Sequence, residues 1–174
     1  EYMEKIKQIS QKNLKMELAY KLLDDAIKAR LKGNLSKQKT FQERIEKTLS
    51  KYHGEFKDFD TLYPELEEVA SDVTAEAKRT EELKMTGEEI AFYDIILMGK
   101  EYLENDTIAR KIAIDVVDYL KKNLKIDWLN QEQVKAEIRL GVTKILLKEN
   151  FPVDEIEKVI PVIMQQTENN YQEV

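Results

Sequence analysis

The sequence predicts an all-α fold, an irregular bundle of about six to seven helices, and three observations carry that prediction. Charged residues make up 36% and hydrophobic residues 42% of the 174, with only 5 Gly and 3 Pro, so helix formers dominate and the punctuation that strands and hairpins need is scarce. Apolar residues recur at intervals of three and four along nearly the whole chain. Helix-opening pairs stand before several of these stripes: Thr86 with Glu89, Asn130 with Gln133, and Asp154 with Glu157. A chain of this length is enough for one core, so residues 1–174 read as a single all-helical domain. Within it, residues 1–57 form a long helical hairpin and residues 58–174 a C-terminal bundle.

Taken in order, Met3, Ile6 and Ile9, then Leu18, Leu22, Leu23, Ala26, Ile27 and Leu31, keep a period near that of a helix and describe one long helix or two. Gly33-Asn34 is expected to close it, because both residues tolerate the left-handed conformation of a helix C-terminus. A second helix runs through Phe41, Ile45, Leu49 and Tyr52, and the pattern stops at His53-Gly54. Asp58 to Pro64 reads as a loop leading into a third helix, with Pro64 in a first turn that has no amide to satisfy. Leu66, Val69, Ala70, Val73, Ala77 and Leu83 continue that third helix.

The segment Thr86 to Asp94, TGEEIAFYD, opens the fourth helix. There the Thr86 hydroxyl and the Glu89 carboxylate satisfy amides that a first turn leaves free. Ile90, Tyr93 and Leu97 should form its inner face, with Phe92 and Ile96 flanking. Gly99 to Asn105 reads as a loop, and Ile108, Ile112, Val116, Leu120 and Leu124 make a fifth helix. Asn130 and Gln133 open a sixth through Val134, Ile138, Val142, Ile145 and Leu146. Asn150-Phe151-Pro152 breaks it, and Asp154 with Glu157 opens the last, through Ile156, Val159, Ile160 and Ile163. Pro161 lies inside that pattern and is expected to kink the helix or end it early.

Composition excludes several chemistries. With no Cys and a single His, His53, disulfides, thiolate zinc sites and Ser/His or Cys/His nucleophiles lack their residues. The five glycines are scattered singly, so no phosphate-cradling loop is encoded. Glu82-Leu83-Lys84 matches the Glu-x-Lys of a metal-dependent nuclease, but its context is helical, and 34 acidic and 28 basic residues produce such triplets by chance. The pairs Glu67-Glu68, Glu81-Glu82 and Glu88-Glu89 point about 100° apart on a helix and read as solvated charge or capping. No residue is assigned a catalytic, cofactor-binding or metal-binding role.

Net charge is -6, unevenly spread. Residues 1–60 hold 14 basic and 10 acidic side chains, +4, while residues 61–174 hold 14 and 24, -10. The acidic part repels phosphate and the mildly basic part permits phosphate contact, which leaves a DNA-contacting N-terminal module as the alternative reading. No apolar run reaches the length of a membrane span. The start at Glu1 without Met leads us to expect a piece of a larger cytoplasmic protein.

TGEEIAFYD and Ile126-Asp127-Trp128 together resemble the C-terminal helical region of the restriction subunit of type I restriction-modification enzymes. Further matches follow in order: Asn34, Phe41 and Glu43, Tyr52-His53, Ile108-Ala109, Val134-Lys135-Ala136 with Arg139, and Lys144-Ile145-Leu146-Leu147. The chain departs from that pattern at Phe151-Pro152-Val153 and at Pro161. The resemblance implies an assembly end that helps dock an ATP- and Mg-dependent DNA-translocating endonuclease onto methyltransferase and specificity subunits, in a bacterial or archaeal cytoplasm. No nuclease or motor motif occurs in this chain, so ATP and Mg would belong to the parent, and DNA would be met only through the parent complex. Within the motif, Thr86, Glu89, Phe92, Tyr93, Asp94, Asp127 and Trp128 read as structural, the aromatics as core anchors and Asp127 as a helix-boundary residue. Lys135, Arg139 and Lys144 are candidates for a basic partner edge, with a solvated face as the competing reading.

Overall fold

The computed structural model describes residues 2–54, 58–102 and 106–172. Among them are nine α-helices, two 3-10 segments and no strand, in keeping with the all-α expectation. The helices are α1 (Tyr2–Lys7), α2 (Lys12–Arg30), α3 (Leu35–His53), α4 (Phe59–Glu76), α5 (Arg79–Leu83), α6 (Gly87–Ile96), α7 (Asp106–Asn123), α8 (Glu132–Lys148) and α9 (Val153–Asn170). Six or seven were expected, and the difference comes from two patterns that each split. Residues 10–13, Ser-Gln-Lys-Asn, offer nothing apolar to hold the first pattern together. Past Glu76, no residue of α5 is buried, so packing does not extend the third. Residues 55–57, where the expected hairpin ends, and 103–105, where the expected loop ends, lie outside the described residues.

Contacts group the chain into two compact units. One comprises Glu1–Lys32 and Lys37–Lys84, the other Gly33–Ser36 and Met85–Val174. α4 and α5 thus cluster with the N-terminal helices, although the stop of the apolar pattern at His53-Gly54 placed a change near residue 58.

In the first unit, Met16, Ala19, Leu23 and Ile27 of α2 meet a core shared with Phe41, Ile45 and Tyr52 of α3 and with Leu62, Leu66, Val69 and Val73 of α4. α4 starts five residues before Pro64. The Asp58 carboxylate accepts from the amides of Asp60 at 3.1 Å and Thr61 at 3.4 Å, a side-chain cap that places Pro64 in the helix interior rather than in its first turn. Carboxylates on α4 also meet cations from α1, α2 and α3. Asp60 pairs with Lys12 at 2.8 Å, Glu65 with Lys51 at 2.9 Å, Asp72 with Arg44 at 2.7 Å, Glu76 with Lys37 at 3.2 Å and Glu67 with Lys7 at 4.0 Å.

The expected left-handed closure at Gly33-Asn34 does not form. The residues with positive φ are Lys84, Asp127 and Asn150, and no glycine among the described residues adopts it. Asn150 closes α8 instead. The amide of Phe151 donates to the Leu146 carbonyl at 3.0 Å and that of Asn150 to Leu147 at 3.1 Å, the paired bonds of a Schellman termination.

In the second unit, α6 packs against α7 and α9, and α8 packs against the same two helices. Ile90 through Ile96 are all buried, so α6 is wrapped on every side instead of showing one inner face, and Leu97 is only half-buried. Gly99, at the kink of the 3-10 segment Leu97–Tyr102, lies under the Phe151 ring. A Cβ there would stand 2.8 Å from Phe151 Cζ, so any side chain at this position would have to displace the buried ring. Two expected helix openings are corrected. α8 has Gln131 at its N-cap with no side-chain cap, because Asn130 is held in the 3-10 turn Trp128–Asn130. α9 begins at Val153 behind Pro152, so Asp154 sits inside the first turn and does not cap it. The last helix does not end early either: it runs through Pro161 to Asn170, with Pro161 and Glu157, whose carbonyl loses its donor, both on the exposed side.

Candidate functional site

The motif TGEEIAFYD makes a helix start and then a core. Thr86 Oγ1 accepts from the Glu89 amide at 3.2 Å, and Glu89 Oε2 accepts from the Thr86 amide at 2.7 Å, so both halves of the capping box are present. Phe92 has no exposed surface and Tyr93 almost none. The Tyr93 hydroxyl donates to Asp106 Oδ1, and the other oxygen of Asp106 takes the Arg110 Nε hydrogen bond, which ties the start of α7 to the middle of α6. Asp94, also buried, accepts from Asn34 Nδ2 at 2.7 Å. The turn carrying Asn34 is fixed a second time by Gln166 of α9. Gln166 accepts from the Leu35 amide and donates to the Gly33 carbonyl, each at 2.9 Å. Gln166 lies on a helix with no motif around it, and only its burial in the fold distinguishes it.

Trp128 is 1% exposed, and its indole N–H donates to the Tyr171 carbonyl at 2.9 Å. Tyr171 is buried in turn, which pushes its phenol above the ordinary tyrosine range, with nearby Glu88 adding to the effect. Asp127, at φ 59, precedes the 3-10 turn without capping it through its side chain. Ile126, the first residue of the same triplet, is 77% exposed.

Three basic residues of α8 were candidates for one edge. Lys135 and Arg139, four apart, lie about 40° from each other around the helix, whereas Lys144 lies about 140° from Arg139. Lys135 is half-buried and paired with Glu132 at 3.5 Å and Glu168 at 3.9 Å. Arg139 and Lys144 are exposed and border opposite sides of the outer face.

The first unit carries a surface cleft of about 640 Å³ lined by Glu67, Thr74, Glu76, Lys78, Arg79 and Glu82 among others. Of its carboxylates, Glu76 is held by Lys37 at 3.2 Å and by Arg79 at 2.8 Å. Glu82 sits exposed on α5, and Lys84 follows in the left-handed conformation, so Glu-x-Lys does not lie on a strand. His53 ends α3 and meets Glu17 of α2 at 2.8 Å. Glu65 is held below the usual carboxylate range by hydrogen bonds from Lys51 and Thr48. Among the described residues, no group of three or more His, Asp or Glu is placed to hold a metal ion, and no helix is long and apolar enough to cross a membrane.

Residues 1–173 match the family model described as type I restriction enzyme HindI endonuclease subunit-like, C-terminal. The chain is 29% identical over 170 residues to the type I restriction enzyme HindI endonuclease subunit of Haemophilus influenzae, an overlap of 97% of this chain and 16% of that protein. It is also 29% identical over 158 residues to a putative type I restriction enzyme MjaIXP endonuclease subunit of Methanocaldococcus jannaschii, covering 87% of this chain and 15% of the relative. The chain therefore spans about a sixth of the length of the curated relatives it matches. No solved structure matches it.

Proposed function

Because this chain belongs to the family of C-terminal regions of HindI-like type I restriction endonuclease subunits, we propose that it is the non-catalytic assembly end of such a subunit. In that role it docks an ATP-dependent, DNA-translocating endonuclease onto the methyltransferase and specificity subunits. The observation that carries the reading is how the motif residues are spent. Phe92 is buried, and Tyr93, Asp94 and Trp128 are buried and hydrogen-bonded inside the second unit, which leaves the outer helix faces as the surface available to another protein. ATP and Mg would act in the parent's other domains, and the complex would work in the cytoplasm of a bacterium or archaeon.

The test is retention on an immobilised methyltransferase-specificity complex. The full subunit and this chain should both be retained, and a subunit truncated before this region should not. Retention of the truncated subunit at full strength would remove the docking role. Magnesium-dependent cleavage or ATP hydrolysis by the purified chain would overturn its non-catalytic assignment.

A further inference from the structure

Helix α8 carries two stripes. The inner one, Val134, Ile138, Val142 and Leu146, is buried in the second unit. On the opposite side Gln133, Ala136, Leu140, Thr143 and Leu147 follow at spacings of three, four, three and four, the heptad seam into which a second helix packs. Leu140 keeps 56% and Leu147 47% of its surface exposed. One heptad apart, they lie about 10 Å from each other along the axis.

The charges beside this seam argue for what covers it. Residues 85–174 hold 17 acidic and 11 basic side chains, an excess of carboxylates. Five cations of this unit find one: Arg110 with Asp106, Lys111 with Glu149, Lys121 with Glu88, Lys135 with Glu132 and Lys158 with Glu155, whereas Lys122, Lys125 and Lys148, away from the seam, do not among the described residues. Arg139 and Lys144 occupy flanking positions of this seam, as Glu132 and Glu137 do one heptad earlier, and among the described residues neither cation has a carboxylate within ion-pair distance. In a parallel pairing with a second copy these two positions would face each other across the seam as like charges, which disfavours that arrangement.

We propose that the outer face of α8 receives one amphipathic helix of a partner protein, with apolar residues in heptad spacing and Asp or Glu at the flanking positions that meet Arg139 and Lys144. The inference rests on the docking role above, and the partner helix would belong to the modification complex.

Affinity for the purified methyltransferase-specificity complex tests it, measured for the unsubstituted chain, Leu140→Glu with Leu147→Glu, Arg139→Glu with Lys144→Glu, and Ile114→Glu, an exposed position on α7, as control. Thermal melts by circular dichroism establish that each variant folds. Both double variants should bind at least about tenfold more weakly, the charge reversal more so at low salt, and the control should match the unsubstituted chain. Equal affinity of folded double variants would overturn the α8 seam and leave the docking role standing. Failure of the unsubstituted chain to bind would overturn both. A dimer of the chain in sedimentation that Leu140→Glu with Leu147→Glu dissolves would make the occupant a second copy and overturn the acidic partner helix.

Discussion

At the scale of single residues, the capping box and the indole hydrogen bond make different kinds of stability claim. Thr86 satisfies an amide at an exposed helix start, where water can partly replace it. Thr86→Ala should therefore cost about 1 kcal/mol in urea denaturation, and Thr86→Ser close to nothing. Trp128 donates in a buried setting, so removing the donor strands the Tyr171 carbonyl. Trp128→Phe should cost about 1–3 kcal/mol for that stranded acceptor, in addition to the smaller ring, and urea denaturation would measure it. A loss no greater than that of the exposed cap would show that the hydrogen bond is solvated. That Trp128 anchors a core was readable from its size and its helical surroundings. Its partner was not, since 43 residues separate them and nothing in the sequence marks a backbone carbonyl as an acceptor.

At the scale of elements, periodicity was the legible part of the fold, because a buried stripe at spacings of three and four is what a packed helix needs. The ends were less legible, because capping residues compete with their neighbours. Of the three pairs expected to open helices, Thr86 with Glu89 forms a box, while Asn130 is taken up by the turn before α8 and Asp154 is preceded by the helix that Pro152 starts. The same holds for α6, whose one expected face became a fully buried helix once α7 and α9 closed around it. The candidate edge on α8 divided for a reason that was present in the spacing, since five residues turn a helix by about 140°. Pro161 shows how packing overrides propensity. Buried Ile160, Ile163 and Met164 hold α9 together across a residue that interrupts its hydrogen bonds. Pro161→Ala should restore the bond to the Glu157 carbonyl, worth up to about 3 kcal/mol in a helix interior, while losing about 1 kcal/mol of unfolded-state restriction. The net expectation is a gain of about 2 kcal/mol, read as a higher midpoint in thermal or urea unfolding, and a loss of stability would mean that the proline bend itself is needed for packing.

At the scale of the whole molecule, the charge asymmetry changes meaning once the helices are placed. Counted by position in the chain, residues 1–60 carry +4. Counted over residues 1–84, there are 17 basic and 17 acidic side chains, net zero, because α4 and α5 bring the missing carboxylates. The pairings of Lys7, Lys37, Arg44 and Lys51 with Glu67, Glu76, Asp72 and Glu65 of α4 show where the excess is cancelled. Those pairs are partly solvated and worth little in stability, but each engages a cation that a phosphate would otherwise use. A surface that neutralises Z phosphates shows a salt slope of about -0.9Z, so four free cations would give a slope near -4. The expectation for this chain is a slope near zero and no retardation of duplex DNA at about 50 mM salt. A slope approaching -4 in titrations between about 50 and 200 mM salt would mean that these ion pairs open to phosphate, and would restore the N-terminal helices as a DNA-contacting surface during translocation.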